Sequence, residues 1–179
     1  MRGTLFLIVG PSGSGKDTLI DAARRTLAVD PRYVFARRVV TRPAGAGGED
    51  HEPATPDEFA ALASSSAFGL CWSAHGVGYG IRRETLAALG ESRCVVANVS
   101  RQVITTAQRA FAPVKVIEVT AEPEALARRL AARGRESASD IAERLARAVP
   151  LPEGLDIRRV DNSGDIETAA AAFLAALAT

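Results

Sequence analysis

The sequence predicts a three-layer α/β fold with a mostly parallel central sheet. Two observations carry that prediction. Apolar runs of strand length recur at 4–9, Cys94–Val99 and Val114–Val119, apolar nearly throughout, as strands covered on both faces require. Segments with helical spacing of apolar residues separate them, which is the pattern of a layered α/β sheet. The chain has 179 residues, enough for one domain with a substantial core.

The elements follow in order. Residues 4–9 read as a central strand. A first helix begins in the glycine loop that follows and runs to about Leu27, with Leu19, Ile20, Ala23 and Leu27 on its apolar face. A second strand is expected over Val34–Val40, then a Gly- and Pro-rich loop over Thr41–His51. Thr55, Pro56 and Glu58 predict a helix start with Thr55 as N-cap, Pro56 at the first position and Glu58 closing a capping box. Phe59 and Leu62 then pack inward.

Phe68–Ser73 and Val77–Ile81 predict a small hairpin joined near Gly76, and Arg82–Leu89 a helix. After the strand at Cys94–Val99, a helix runs through Phe111. After Val114–Val119, Glu122 and Glu124 place acids at the positive end of a helix that stops near Gly134. Ser139–Ala148 reads as helical, Asp156–Val160 as the last strand and Gly164–Leu177 as an alanine-rich closing helix. With no internal repeat or long linker, residues 1–179 read as one domain. The segments 41–81 and 133–144 are appendages on it.

Composition excludes several classes. An apolar fraction of 47% argues against disorder. No run reaches transmembrane length, and glycines and a lysine, not a cleavage site, follow the first apolar run. Cys71 and Cys94 make neither a disulfide framework nor a metal motif, which is compatible with a reducing cytoplasm. Net charge is +1, which argues against a broad nucleic-acid surface; no membrane partner is expected. Arginine outnumbers lysine 20 to 2, and its planar fork suits phosphate in a local pocket.

The first strand runs into Gly10, Pro11, Ser12, Gly13, Ser14, Gly15, Lys16, Asp17 and Thr18. This Gly-x-x-x-x-Gly-Lys run between a strand and a helix is a phosphate-binding loop. Glycines let the backbone curl so that its N–H groups converge on an anion, and the helix adds its positive end. Lys16 is an electrostatic clamp on terminal phosphates, not a base. Asp17 stands where Ser or Thr is usual. It reads either as a hard-oxygen Mg²⁺ ligand or as a helix-start acid, with Thr18 as a substitute hydroxyl ligand.

Arg37, Arg38 and Arg42 form a cluster at the strand end. Arg38 and Arg42 share a side if the strand extends that far. The cluster is either a ligand grip or a solvated face. Glu49 and Asp50 accept from sugar hydroxyls or hold arginines, and His51 is either a surface or a site residue. Tyr79 can donate to a phosphate or pack on Trp72 or Phe68. His75 reads as substrate contact or loop structure. Arg101, after the strand end at Asn98, either faces the cleft or does not. Arg133 and Arg135, with Arg129 or Arg144, make either a closing lid or ordinary helix-surface charge.

These stretches resemble guanylate-kinase-like P-loop kinases over most of the chain. Val40-Thr41-Arg42-Pro43 followed by Gly48-Glu49 resembles their acceptor segment, and Tyr79-Gly80 their substrate-facing pair. The run from Leu130 to Arg135 resembles the lid, and Val160-Asp161-Asn162-Ser163 the segment beside the nucleotide base. Gly10–Asp17 and Trp72–Gly80 resemble more closely the ribose 1,5-bisphosphate phosphokinase branch. Two departures separate the chain from ordinary guanylate kinases. Gly45 takes the place of a second loop arginine, and Asn98 that of an acidic strand-end residue, an exchange tied here to Asp17.

The resemblance implies a P-loop kinase fold with an acceptor-binding insertion and a helical lid. It also implies ATP and Mg²⁺ as cofactors, a small phosphorylated sugar as acceptor and a place in phosphonate metabolism. By it, Lys16, Arg42, Arg133 and Arg135 serve catalysis. Gly10 to Thr18 and Asn162 hold the nucleotide, and Arg38, Arg42, Glu49, His75, Tyr79 and Arg101 the acceptor. Oligomeric state stays open, a homodimer included. Guanylate kinase and a non-enzymatic nucleotide-binding protein are the competing readings.

Overall fold

The computed structural model describes residues 2–43, 50–74, 76–132, 151–152 and 154–178. Five strands form a parallel sheet: β1 (Leu5–Val9), β2 (Tyr33–Phe35), β7 (Cys94–Asn98), β8 (Val114–Thr120) and β9 (Ile157–Asp161), in the order β2-β7-β1-β8-β9. The chain winds to one side of β1 through β2 and β7, and to the other through β8 and β9. Ligands of open α/β sheets bind beyond the carboxyl strand ends where the winding reverses.

All five residues of β1 are fully buried, and their alternation builds the layers. Phe6 and Ile8 face α1 (Lys16–Thr26) and α6 (Ile166–Leu177), packing with Leu19, Ala23, Ala169 and Phe173. Leu5, Leu7 and Val9 face the opposite layer, against Leu86 of α3 (Arg83–Ala87) and Ile104 and Ala107 of α4 (Ile104–Ala110). A continuous apolar run is thus required on β1 because both faces are covered.

A second sheet carries β3 (Val39–Val40), β4 (Glu52–Pro53), β5 (Phe68–Ala74) and β6 (Val77–Arg82), in the order β4-β3-β6-β5. Leu70 and Ile81 sink into the layer beside Leu7 and anchor this sheet to the core. Helix α2 (Pro56–Ser64) caps it, with Phe59 against Phe68 at 4.8 Å between ring centres. Its start is the expected capping box: Thr55 accepts from the Glu58 N–H and Glu58 accepts from the Thr55 N–H at 2.7 Å.

One expectation is corrected. The single strand over Val34–Val40 is two strands in two sheets. Ala36 still donates to Val96 of β7, after which the chain leaves the central sheet and re-pairs at Val39 and Val40 with Gly80 and Tyr79. The expected hairpin is present, and it forms half of a four-stranded sheet. The closing helix is capped by Asp165, which accepts from Thr168 at 2.8 Å, while the Ser163 hydroxyl donates to Asp161 and accepts from the Glu122 N–H. The helix before Phe111 begins with a 3₁₀ turn at Arg101–Val103, and α5 spans Pro123–Ala132. The helix expected over 139–148 and the lid over 133–144 lie outside the described residues.

Candidate active site

The phosphate loop leaves β1 at Gly10 and enters α1 at Lys16. Gly10 has φ 149°, and a Cβ there would sit 2.2 Å from the Val119 carbonyl of β8. Gly15 has φ 86°, and a Cβ there would sit 2.3 Å from the Asn162 amide nitrogen. Only glycine satisfies both the left-handed backbone and the close approach. Lys16 folds back so that its ammonium donates to the Gly10 and Pro11 carbonyls, both at 2.9 Å. The charge is therefore held across the loop, ready for exchange onto phosphate oxygens.

Asn162 is 2% exposed and donates to the Ser14 carbonyl at 2.7 Å. The resemblance set it beside the nucleotide base; the structure sets it behind the loop, as a brace. Asp17, in the first turn of α1, accepts from Asn98 Nδ2 at 2.7 Å. Asn98 ends β7 and is 7% exposed, so the amide is fixed by the central sheet. Thr18 is exposed at the rim.

A cleft of about 230 Å³ joins this loop to the second sheet. Gly13, Lys16 and Asp17 form one wall, Asn98 and Ser100 the floor, and Arg38, Trp72 and Tyr79 the far wall. Trp72 and Tyr79 stack with ring centres 5.5 Å apart and planes 10° from parallel. The guanidinium of Arg38 lies over both faces, 4.9 Å from the Tyr79 centre and 5.9 Å from that of Trp72. Such cation–π contacts hold a flexible arginine in place. Tyr79 packs on Trp72, as one of its two readings expects, and also lines the cleft.

The remaining candidates are placed differently. Strand β3 ends at Val40 and Arg42 N turns back onto the Val40 carbonyl at 2.7 Å, so the shared side expected for Arg38 and Arg42 lapses. The Arg42 carbonyl is held by Nε2 of His51 at 3.1 Å, which requires the proton on that nitrogen. His51 is thus buried support and not a surface group. Arg42 keeps a buried Nε without a hydrogen-bond partner among the described residues. Arg37 pairs with Asp50 at 2.9 Å. Arg101 pairs with Glu118 of β8 at 2.9 Å and is not among the cleft's lining residues. Glu49, His75, Arg133 and Arg135 lie outside the described residues.

Sequence reasoning missed Glu118, which is 9% exposed and bridges Arg101 and Arg159, the latter at 3.0 Å. Nothing in a buried apolar strand signals one carboxylate shared by two distant arginines. The Trp72–Tyr79 pairing was within reach: a two-residue turn after Ala74 sets Trp72 opposite Tyr79. The ion pair of Arg82 with Glu52 across the second sheet holds the Glu52 carboxyl below the usual range, chiefly through its hydrogen bond.

No family model matches the chain. It is 48% identical over 177 residues to ribose 1,5-bisphosphate phosphokinase PhnN of Rhizobium etli, covering 98% of this chain and 90% of that protein. It is 47% identical over 177 residues to the protein of the same name from Methylobacterium radiotolerans, covering 99% and 98%. A bifunctional ribose 1,5-bisphosphokinase-thymidine phosphorylase of Cupriavidus pinatubonensis is 47% identical over 176 residues, covering 98% of this chain, which spans 29% of that longer protein. Among solved structures, guanylate kinase from Anaplasma phagocytophilum superposes with a TM-score of 0.71 at 20% identity, over 98% of this chain and 85% of that one, a likeness of fold. The chain, with its phosphate loop at the winding reversal of a parallel sheet and a fold like that of guanylate kinase, is thus nearly half identical to these phosphokinases along 90% and 98% of their length, and it belongs to the ribose 1,5-bisphosphate phosphokinase family.

Proposed function

We propose that the chain transfers the γ-phosphoryl group of ATP to ribose 1,5-bisphosphate, giving ADP and 5-phosphoribosyl 1-diphosphate. The observation that carries this reading is the single cleft with the phosphate loop on one wall and Arg38, held on Tyr79 and Trp72, on the other. An oxygen of the acceptor's anomeric phosphate attacks the γ-phosphorus, and the bond from that phosphorus to the β–γ bridging oxygen breaks, leaving ADP. The attacking oxygen already carries negative charge, so no side-chain base is needed, and rate comes from alignment and charge neutralisation.

The roles proposed draw on position for the residues that line the cleft and on sequence resemblance for Arg42 and the rest. Backbone N–H groups of the Gly10–Lys16 loop cradle the ATP phosphates, and Lys16 moves from the Gly10 and Pro11 carbonyls onto a transferring oxygen. Arg38 takes the acceptor phosphate farther from the loop, with the Tyr79 hydroxyl beside it. Arg42 joins them at the acceptor. Arg133 and Arg135, assigned from sequence, neutralise the transferred group, and Glu49 and His75 complete the acceptor rim. Asp17 fits Mg²⁺, because its carboxylate is a hard oxygen donor on the cleft wall next to the lysine that meets the phosphates. Bound there with ATP, the ion neutralises phosphate charge.

Product analysis tests the reading. ATP with ribose 1,5-bisphosphate gives ADP and a pentose 1-diphosphate, detected by ³¹P NMR. Formation of GDP from guanosine monophosphate without that product overturns the acceptor, and nucleotide binding with no turnover overturns the enzyme.

A further inference from the structure

We infer that Asp17 and Asn98 are a transposed metal seat, in which the carboxylate has moved from the strand end to the phosphate loop and a neutral amide has moved the other way. The inference deepens the kinase reading and rests on it. In P-loop NTPases the ion is held by a loop Ser or Thr and by an acidic residue at a strand end. Here the loop position carries Asp17 and the end of β7 carries Asn98. The two side chains are 81 residues apart in sequence and in direct contact, Asn98 Nδ2 donating to Asp17 Oδ1 at 2.7 Å.

Charge explains why the two positions are coupled. Either arrangement places one negative charge and one neutral polar group at the phosphate-loop mouth. Two carboxylates at this distance would repel each other and the triphosphate; two neutral groups would leave the cation without a protein charge. The amide also does what a carboxylate could not. Its N–H fixes one oxygen of Asp17 and leaves the other for the ion, and its buried attachment to β7 keeps the carboxylate from swinging to solvent. Both residues line the cleft that holds Lys16, so the seat lies where the ATP phosphates must pass. Asn98 is accordingly a positioning residue for Asp17.

The experiment measures binding, apart from turnover. Mn²⁺ is titrated into the full chain with a non-hydrolysable ATP analogue and followed by electron paramagnetic resonance, with thermal unfolding as a check on folding. Asp17→Ser and Asn98→Asp each weaken the Mn²⁺–nucleotide complex by about 10- to 100-fold, the scale of outer-shell changes at metal sites. The double variant Asp17→Ser/Asn98→Asp recovers to within about threefold of the parent, a strongly non-additive result. A double variant as weak as the two single losses combined overturns the inference. So does a folded Asn98→Asp variant that binds like the parent. Failure of the parent to phosphorylate the sugar would overturn the acceptor assignment and leave this measurement standing.

Discussion

The side-chain amide of Asn162 donates to the carbonyl of Ser14 at 2.7 Å, so the turn after β9 braces the phosphate loop from behind. Removing this buried bond leaves the Ser14 carbonyl without that donor, at a cost of about 1–3 kcal/mol. Asn162→Ala is expected to lower stability by that amount in urea unfolding and to weaken ATP binding in calorimetry. An unchanged ATP affinity would mean that the loop keeps its shape without the brace.

Lys16→Ala removes the one ammonium on the loop wall. A charge aimed at the transition state is worth about 100-fold or more in rate. The expected result is that loss in kcat with a cooperative unfolding transition retained. Turnover within a few-fold of the parent would take Lys16 out of the mechanism.

Arg38 separates acceptor from donor binding. Arg38→Ala is expected to raise the acceptor KM by about tenfold or more while ATP affinity, measured by calorimetry, stays near the parent value. Arg38→Lys recovers little, because an ammonium does not reproduce the flat guanidinium over Tyr79. Equal losses for both substrates would point to collapse of the second sheet.

Glu118 and its two arginines differ in burial, which sets the scale of their variants. Arg101 is 19% exposed and Arg159 is 71% exposed in their side chains. Glu118→Ala removes a buried carboxylate shared by two arginines and is expected to cost up to about 3 kcal/mol. Arg159→Ala removes an exposed partner and is expected to cost less than about 1 kcal/mol. Denaturant unfolding of the two variants gives the comparison directly.

Acid tests the second sheet. Arg82 lowers the folded pKa of Glu52 below its ordinary value of 4.5. A lowered carboxyl contributes stability above the unfolded value, and that stability is lost as pH falls through the folded one. The Tm of Glu52→Gln is therefore expected to lie below that of the parent at neutral pH, with the gap closing as pH drops below about 4. A gap independent of pH would assign the effect to packing.

Much of this was legible because the signals are local. The apolar run at Leu5–Val9, the glycine loop after it, the Thr55–Glu58 cap and the hairpin at 68–82 each depend on neighbours in sequence. What escaped depends on partners far away. Val34–Val40 reads as one strand because side-chain type cannot say where a strand changes sheets, and only the pairing of Val39 with Gly80 reveals the break. Strand β4 is two residues long and ends in proline, a composition that argues against a strand. Asn98 stood out as a departure tied to Asp17, but the contact between them becomes visible only when β7 lies beside β1. The bond from Asn162 to Ser14 had no signal in the sequence, because the two are 148 residues apart.

The chain crosses from the parallel sheet to the mixed four-stranded one at 36–38, and Arg38 is the final residue of that crossing. The small sheet beyond it carries Trp72 and Tyr79, on which Arg38 is stacked, so the three form one wall across the cleft from Lys16. In the proposed reaction, the spacing between the transferring phosphoryl group and the acceptor's far phosphate is therefore set by this backbone crossing and not by side-chain reach alone.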